Sequence, residues 1–127
     1  MPHQYNIELA GQQIGTTKLE FADPPMGVVH GKIKFSISES PFQLVSSHCV
    51  QNGIKLNTYD LTCKLIDTQI IPGLKIFKPG GTELKARGSS IAGMDPNDFH
   101  IEVYGIPHQI MESEFRFQAS DYYSKKG

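Results

Sequence analysis

The sequence predicts an α+β domain that is mainly β, with an antiparallel sheet of roughly eight strands and one short helix near residues 41–51. Apolar and polar residues alternate in most segments, which is typical of strands with one buried face and one solvated face. One stretch combines helical periodicity with clear start and stop signals. Since helices do not alternate with strands, a doubly wound fold is excluded. The sheet is expected to form a roll, an open barrel or a sandwich-like arrangement.

The chain begins with two alternating segments, at residues 5–9 and 17–21, separated by a bend between Gly11 and Gly15. This pattern predicts a hairpin or meander. The sequence Asp23-Pro24-Pro25 then forces a turn, because proline fixes φ, lacks an N–H group and restricts the residue before it. We therefore expect the first strands to end at this turn.

The segment 28–37 is predicted to be a long strand with two different faces. The side chains expected to point inward are Val29, Gly31, Ile33, Phe35 and Ile37. Those expected to point outward are His30, Lys32, Lys34 and Ser36. A strict period of two with one wet face indicates a half-buried antiparallel strand.

Residues 41–51 are predicted to form the helix. Ser40 is a favourable N-cap, Pro41 suits the first helical position, and Gln43 stands where a capping box requires it. Asn52-Gly53 supplies the stop, because glycine readily adopts the left-handed conformation that ends helices.

The remaining segments also predict β structure. Turns are expected at residues 57–60 and 95–98, and a flexible stretch at 88–93. The predicted strands are 61–66, 74–77, 84–86, 99–103 and 114–119.

Composition narrows the class of protein. The 127 residues suit a single domain spanning 1–127, and the hydrophobic content of 39% with 20% charged residues is that of a globular chain. A net charge of −1 without a basic stripe argues against a nucleic-acid or membrane partner. No apolar run approaches the about 20 residues of a membrane span, and no leader is recognisable, so a cytoplasmic location is expected. Cys49 and Cys63 are expected to be buried thiols, and a disulfide between them, which requires close Cα atoms, is the alternative.

No complete catalytic, nucleotide-binding or metal motif occurs in the sequence, so neither a catalytic residue nor a cofactor is assigned and no metal site is expected. A polar site assembled from several strands is conceivable, because histidine titrates near neutral pH and commonly serves in binding and catalysis. Its candidate ligand-binding residues are His30, His100, Glu102 and Tyr104, with His108 as a further member.

Tyr122 and Tyr123 are the candidate protein-interface residues. They lie beyond the last predicted strand, and tyrosine is enriched at interfaces because it offers apolar area with a polar tip. Packing of both rings on the domain's own core is the alternative.

These observations favour a non-enzymatic binding or interaction module that works through protein–protein contact or self-association, as an inhibitor or immunity-type protein would. The alternative is a small enzyme or small-ligand binder whose site is gathered from histidines and carboxylates.

Overall fold

The computed structural model describes residues 3–126 and confirms the mainly β fold. Within those residues, nine antiparallel strands form one open sheet, accompanied by three α-helices. The strands are β1 (Tyr5–Leu9), β2 (Gln12–Thr17), β3 (Phe21–Asp23), β4 (Val28–Phe35), β5 (Leu56–Asp60), β6 (Leu65–Thr68), β7 (Leu74–Phe77), β8 (Gly88–Met94) and β9 (Asp98–Tyr104). The helices are α1 (Pro41–Gln51), α2 (His108–Ser113) and α3 (Arg116–Lys126), and Pro24–Met26 forms a 3₁₀ turn.

Strand β4 is the centre of the sheet. The strand order is β5-β6-β8-β9-β4-β2-β1-β7, and β3 pairs with β4 beside β2. Strands β2 and β3 pair in succession with the same side of β4, and the pairing is interrupted at residues 18–20. There Leu19 has a φ of 46°, and its N–H donates to Oγ1 of Thr17. Leu19 is fully buried, so this break turns an apolar side chain into the core.

The segment between β6 and β8 curls back against the sheet. The N–H of Ile71 donates to the carbonyl of Ser89 at 2.9 Å, and the N–H of Leu84 donates to Ile76 at 2.8 Å. The predicted strand at 84–86 is wrong, because these residues have no strand structure and the isolated bridge beside them pairs Glu83 with Phe77.

The predicted faces of β4 are confirmed in its centre. Val29 and Ile33 are buried, whereas Lys32 and Lys34 are exposed. Phe35 is half-buried and meets Phe99 edge-on, with ring centroids 5.5 Å apart. The core continues through the inward residues of β9 and through one face of α1, namely Phe99, Ile101, Val103, Phe42, Val45 and Cys49.

Helix α1 has the predicted bounds. Oγ of Ser40 accepts a hydrogen bond from the N–H of Gln43 at 3.1 Å. The capping box is not formed, because the Gln43 amide donates to Ser47 instead. Asp95 supplies a different contact at the start of the helix: its Oδ1 accepts from the N–H of Phe42 at 2.8 Å, and the Ser40 hydroxyl donates to its Oδ2.

Two predictions in the middle of the chain are wrong. Residues 57–60 belong to strand β5, and the turn lies at 61–64 instead. Strand β5 is an edge strand with both faces largely exposed, so it lacks the alternation that marks half-buried strands. The stretch expected to be flexible at 88–93 is β8, which lies between β6 and β9. Its small residues fit close packing, since a Cβ at Gly93 would lie 2.5 Å from Cα of Phe99.

The predicted strand at 114–119 is also wrong. Met111 and Phe115 are buried at a helical spacing of four, and the chain continues as α3. Phe117 is exposed, so the alternation of Phe115 and Phe117 does not reflect a strand.

The cysteines are both free thiols. Cys49 is buried in α1, and burial raises the pKa of its thiol. Cys63 is exposed in the turn after β5, so the prediction that it is buried is wrong.

Candidate functional site

The four predicted ligand-binding residues lie on one outward face of the sheet. His30 of β4 is the register partner of Glu102 of β9, and Lys32 is the partner of His100. Tyr104 follows Glu102 on the same side of β9, because alternate residues of a strand share a face. Two neighbouring strands therefore bring these residues together.

A hydrogen-bonded chain organises one end of this face. The hydroxyl of Tyr104 donates to Oε2 of Glu102 at 3.2 Å and lies 2.8 Å from Oγ of Ser90. Since the Tyr104 hydroxyl has a single proton, which it donates to Glu102, the Ser90 hydroxyl is the donor in its contact with Tyr104. Ser90 is buried in β8, the strand that sequence reasoning took for a flexible stretch, so it was not among the predicted residues.

The electrostatic surroundings keep the Tyr104 phenol protonated. Burial raises its pKa, the hydrogen bond with Ser90 partly offsets that rise, and the carboxylates of Glu102 and Asp67 raise it further. A phenol with a raised pKa is a poor general base at neutral pH, because base catalysis needs the ionised form. Tyr104 is therefore suited to hydrogen bonding rather than to proton abstraction.

The two histidines have different neighbours. His30 is half-buried and stacks on Phe21, with ring centroids 5.3 Å apart and planes inclined by 24°. His100 is exposed, and its Nε2 lies 3.4 Å from the carboxylate of Asp98. His108, the further candidate, lies on α2, and its Nε2 is 2.9 Å from the carboxylate of Glu112. The histidines therefore do not converge on one point.

Metal binding finds no support in this arrangement. In residues 3–126, no group of three or more histidine, cysteine, aspartate or glutamate side chains could hold a metal ion. What the face offers is a row of hydrogen-bonding groups flanked by the stacked rings of Phe21 and His30.

The predicted interface residues lie on helix α3. Tyr123 is 56% exposed, whereas Tyr122 is half-buried and meets it edge-on at a centroid distance of 5.3 Å. Phe117 of the same helix is 75% exposed, with the guanidinium of Arg116 5.9 Å from its ring centroid. Sequence reasoning missed Phe117, because it placed that residue in a strand.

Helix α3 is fixed to the body of the domain at its N-terminal end. Phe115, directly before the helix, is fully buried and stacks with Tyr5 at 6.0 Å. The side-chain amide of Gln118 donates to the carbonyl of Leu19 at 3.0 Å. The exposed ring of Phe117 is thus presented by an anchored helix rather than by a loose end.

A groove of about 570 Å³ runs beside this helix. Phe117, Gln118 and Asp121 of α3 line it, together with Tyr5 and Glu20 from the strand side. A volume of this size lies within the range of about 300–1,000 Å³ that ligand sites usually occupy. The groove places an apolar ring next to carboxylates.

Comparisons with known proteins add no relationship: no protein-family model, curated protein or solved structure matches this chain. Within residues 3–126, none of the helices has both the length and the apolar character needed to cross a bilayer.

Proposed function

We propose that the chain is a non-enzymatic binding module that contacts a protein partner, or a second copy of itself, through helix α3. The observation that carries this proposal is the 75% exposure of Phe117 on an anchored helix. A phenyl ring left in water contributes hydrophobic stabilisation once a partner covers it. Tyr123 adds a second ring on the same helix.

The character of α3 supports an interface rather than a second core element. Its mean hydropathy is low, and the residues around Phe117 and Tyr123 are mostly polar. Interfaces of non-obligate complexes combine a few aromatic anchors with a polar rim, and such anchors carry most of the binding energy.

The test compares Phe117→Ala/Tyr123→Ala with the matched control Val50→Ala/Leu61→Ala. Val50 and Leu61 are 71% and 60% exposed but lie on α1 and in the turn after β5. Each protein is used in a pull-down from native extract with mass spectrometry, and its mass is measured by light scattering over a range of concentrations.

We expect the α3 variant to lose a captured partner, or the dimer mass, that the wild type and the control retain, with no change in melting temperature. Retention of the same partner and mass by the α3 variant would contradict the proposal.

A second candidate is a small-ligand binder or enzyme that uses His30, His100, Glu102 and Tyr104. The Ser90–Tyr104–Glu102 hydrogen bonds favour it, since they hold polar groups in fixed positions on the sheet face. A ligand screen by NMR tests it: hits that shift the amide signals of β8 and β9 are expected, and Tyr104→Phe should weaken them. Hits confined to α3 would argue against this candidate.

A further inference from the structure

A second groove, of about 560 Å³, lies beside β4 at the break that separates β2 from β3. Three lysines line it: Lys18 in the break, and Lys32 and Lys34 on β4. Lys32 and Lys34 are two residues apart and share the outward face, and Lys34 is the register partner of Thr16 in β2. All three lysine side chains are exposed.

The charges of these lysines are not neutralised within the domain. None of the three ammonium groups forms an ion pair with a carboxylate in residues 3–126, whereas Lys75, Lys78 and Lys125 each do. Glu20 is the one acidic residue of the described lining. Its Oε1 is turned over Gly31, 2.5 Å from the point where a Cβ of that residue would stand.

We propose that this groove binds an acidic peptide segment of a protein partner. The three positive charges in this groove repel each other, and the carboxylates of a partner would offset that repulsion by attracting the ammonium groups. Lysine suits such a role, because its ammonium is a compact charge on a flexible stem and can donate hydrogen bonds to carboxylates from many directions.

Neutral donors complete the fit to a peptide. Gln4 and Asn97 also line the groove, and their side-chain amides are groups that can hydrogen-bond peptide carbonyls. Lysine also binds phosphate, but phosphate sites commonly add an arginine fork or a helix N-terminus, and the described lining contains neither. The groove is also within the volume range of sites that hold more than a single small ion.

This site is separate from the aromatic surface of α3. Glu20 lines both grooves, but Phe117 belongs to one and the lysines to the other. The two proposals therefore fail independently: Phe117→Ala/Tyr123→Ala should leave binding of an acidic peptide unchanged.

The test uses the capped peptide Ac-Glu-Glu-Glu-Glu-NH2 as probe, with Ac-Gln-Gln-Gln-Gln-NH2 and inorganic pyrophosphate as comparisons. Each is titrated into the full chain labelled with ¹⁵N, at about 0.15 M salt so that distant charges are screened. The variant Lys32→Gln/Lys34→Gln is compared with Lys55→Gln/Lys85→Gln. The control removes the same charge from two exposed lysines that do not line the groove.

We expect the glutamate peptide to shift the amide signals of residues 16–18 and 32–34 and to bind more tightly than either comparison. Lys32→Gln/Lys34→Gln should weaken it about tenfold or more, and the control less than about twofold. Absence of binding, shifts located elsewhere, equal weakening by both variants, or tighter binding of pyrophosphate would each overturn the proposal. Well-dispersed spectra of both variants establish that they are folded.

Discussion

The hydroxyl of Tyr5 donates a 2.6 Å hydrogen bond to Oε2 of Glu114, a residue 109 positions further along the chain. The other oxygen of that carboxylate, Oε1, lies 2.8 Å from the ammonium of Lys78. Tyr5 is 1% exposed, so the phenol reaches its acceptor from within the core. One carboxylate thereby joins β1, the loop after β7 and the junction between α2 and α3.

We expect Tyr5→Phe to lower the free energy of unfolding by about 1.5–3 kcal/mol, because it removes a hydrogen bond to a charged and largely buried acceptor. The matched control is Tyr59→Phe. Tyr59 is 49% exposed, and its hydroxyl makes no hydrogen bond within residues 3–126, so the loss should stay below about 0.5 kcal/mol. Urea denaturation measures both, and equal losses would contradict the importance of this contact.

The same phenol should make stability sensitive to alkaline pH. Burial, together with the hydrogen bond and the negative charge of Glu114, raises the pKa of Tyr5 well above its ordinary value of 10.0. The unfolded chain therefore loses this proton near pH 10 while the folded chain keeps it. The contribution is complete below pH 10 and falls as the pH rises further, by up to about 1.4 kcal/mol per pH unit.

Urea denaturation from pH 8 to 11 tests this dependence. The wild type should lose more stability above pH 10 than Tyr5→Phe does. Parallel curves for the two proteins would show that Tyr5 ionises as readily in the fold as in the unfolded chain.

Replacement of Asp95 should weaken the start of α1. Asp95→Ala leaves the N–H of Phe42 without its acceptor and frees Ser40, which we expect to cost about 1–2 kcal/mol. Glu39→Ala is the control, since Glu39 is exposed beside the cap and makes no hydrogen bond or ion pair in the described chain. Circular dichroism can follow helix content during thermal unfolding of both variants. Equal melting temperatures would contradict the stabilising role of Asp95.

The two faces of β4 should respond very differently to truncation. Ile33→Ala removes a side chain that is 3% exposed and should cost about 2–5 kcal/mol. Lys34→Ala, the next residue along the strand, should cost under about 0.5 kcal/mol. Denaturant titration measures both losses, and comparable values would contradict the assignment of a buried and an exposed face.

The sequence was most predictive where the physical signals are local. The bounds of α1 follow from Ser40, Pro41 and the stop at Asn52-Gly53, which act within a few residues. The alternation in β4 and β9 was readable because each strand has one buried and one solvated face. Strand β5 could not be read in this way, since an edge strand with two exposed faces does not alternate.

The C-terminal helix was missed because Phe115 and Phe117 imitate a strand. Two residues apart on a helix, they point about 200° from each other, so one ring is buried and the other exposed, whereas a strand would place both rings on one face. The buried spacing of Met111 and Phe115 was the available signal for a helix.

For the candidate site, the sequence predicted which face of its strand each residue occupies, but not which residues of other strands lie beside it. Each of His30, His100 and Glu102 could be assigned to an outward face from its own strand. The pairing of His30 with Glu102 depends on a register between strands far apart in sequence. No sequence pattern marked Ser90, because it reaches the site only through a hydrogen bond between its hydroxyl, on a third strand, and Tyr104.

Strand β4 lies in the middle of the finished sheet, but the strands on its two sides are synthesised at very different times. Its partners β2 and β3 precede it in the chain, whereas Val29 pairs with Val103, which lies 74 residues later. Until β9 emerges, one side of β4 is a bare edge of the kind that recruits other strands. Lysines on such an edge discourage wrong pairing, so Lys32 and Lys34 would protect the nascent chain before any partner is met.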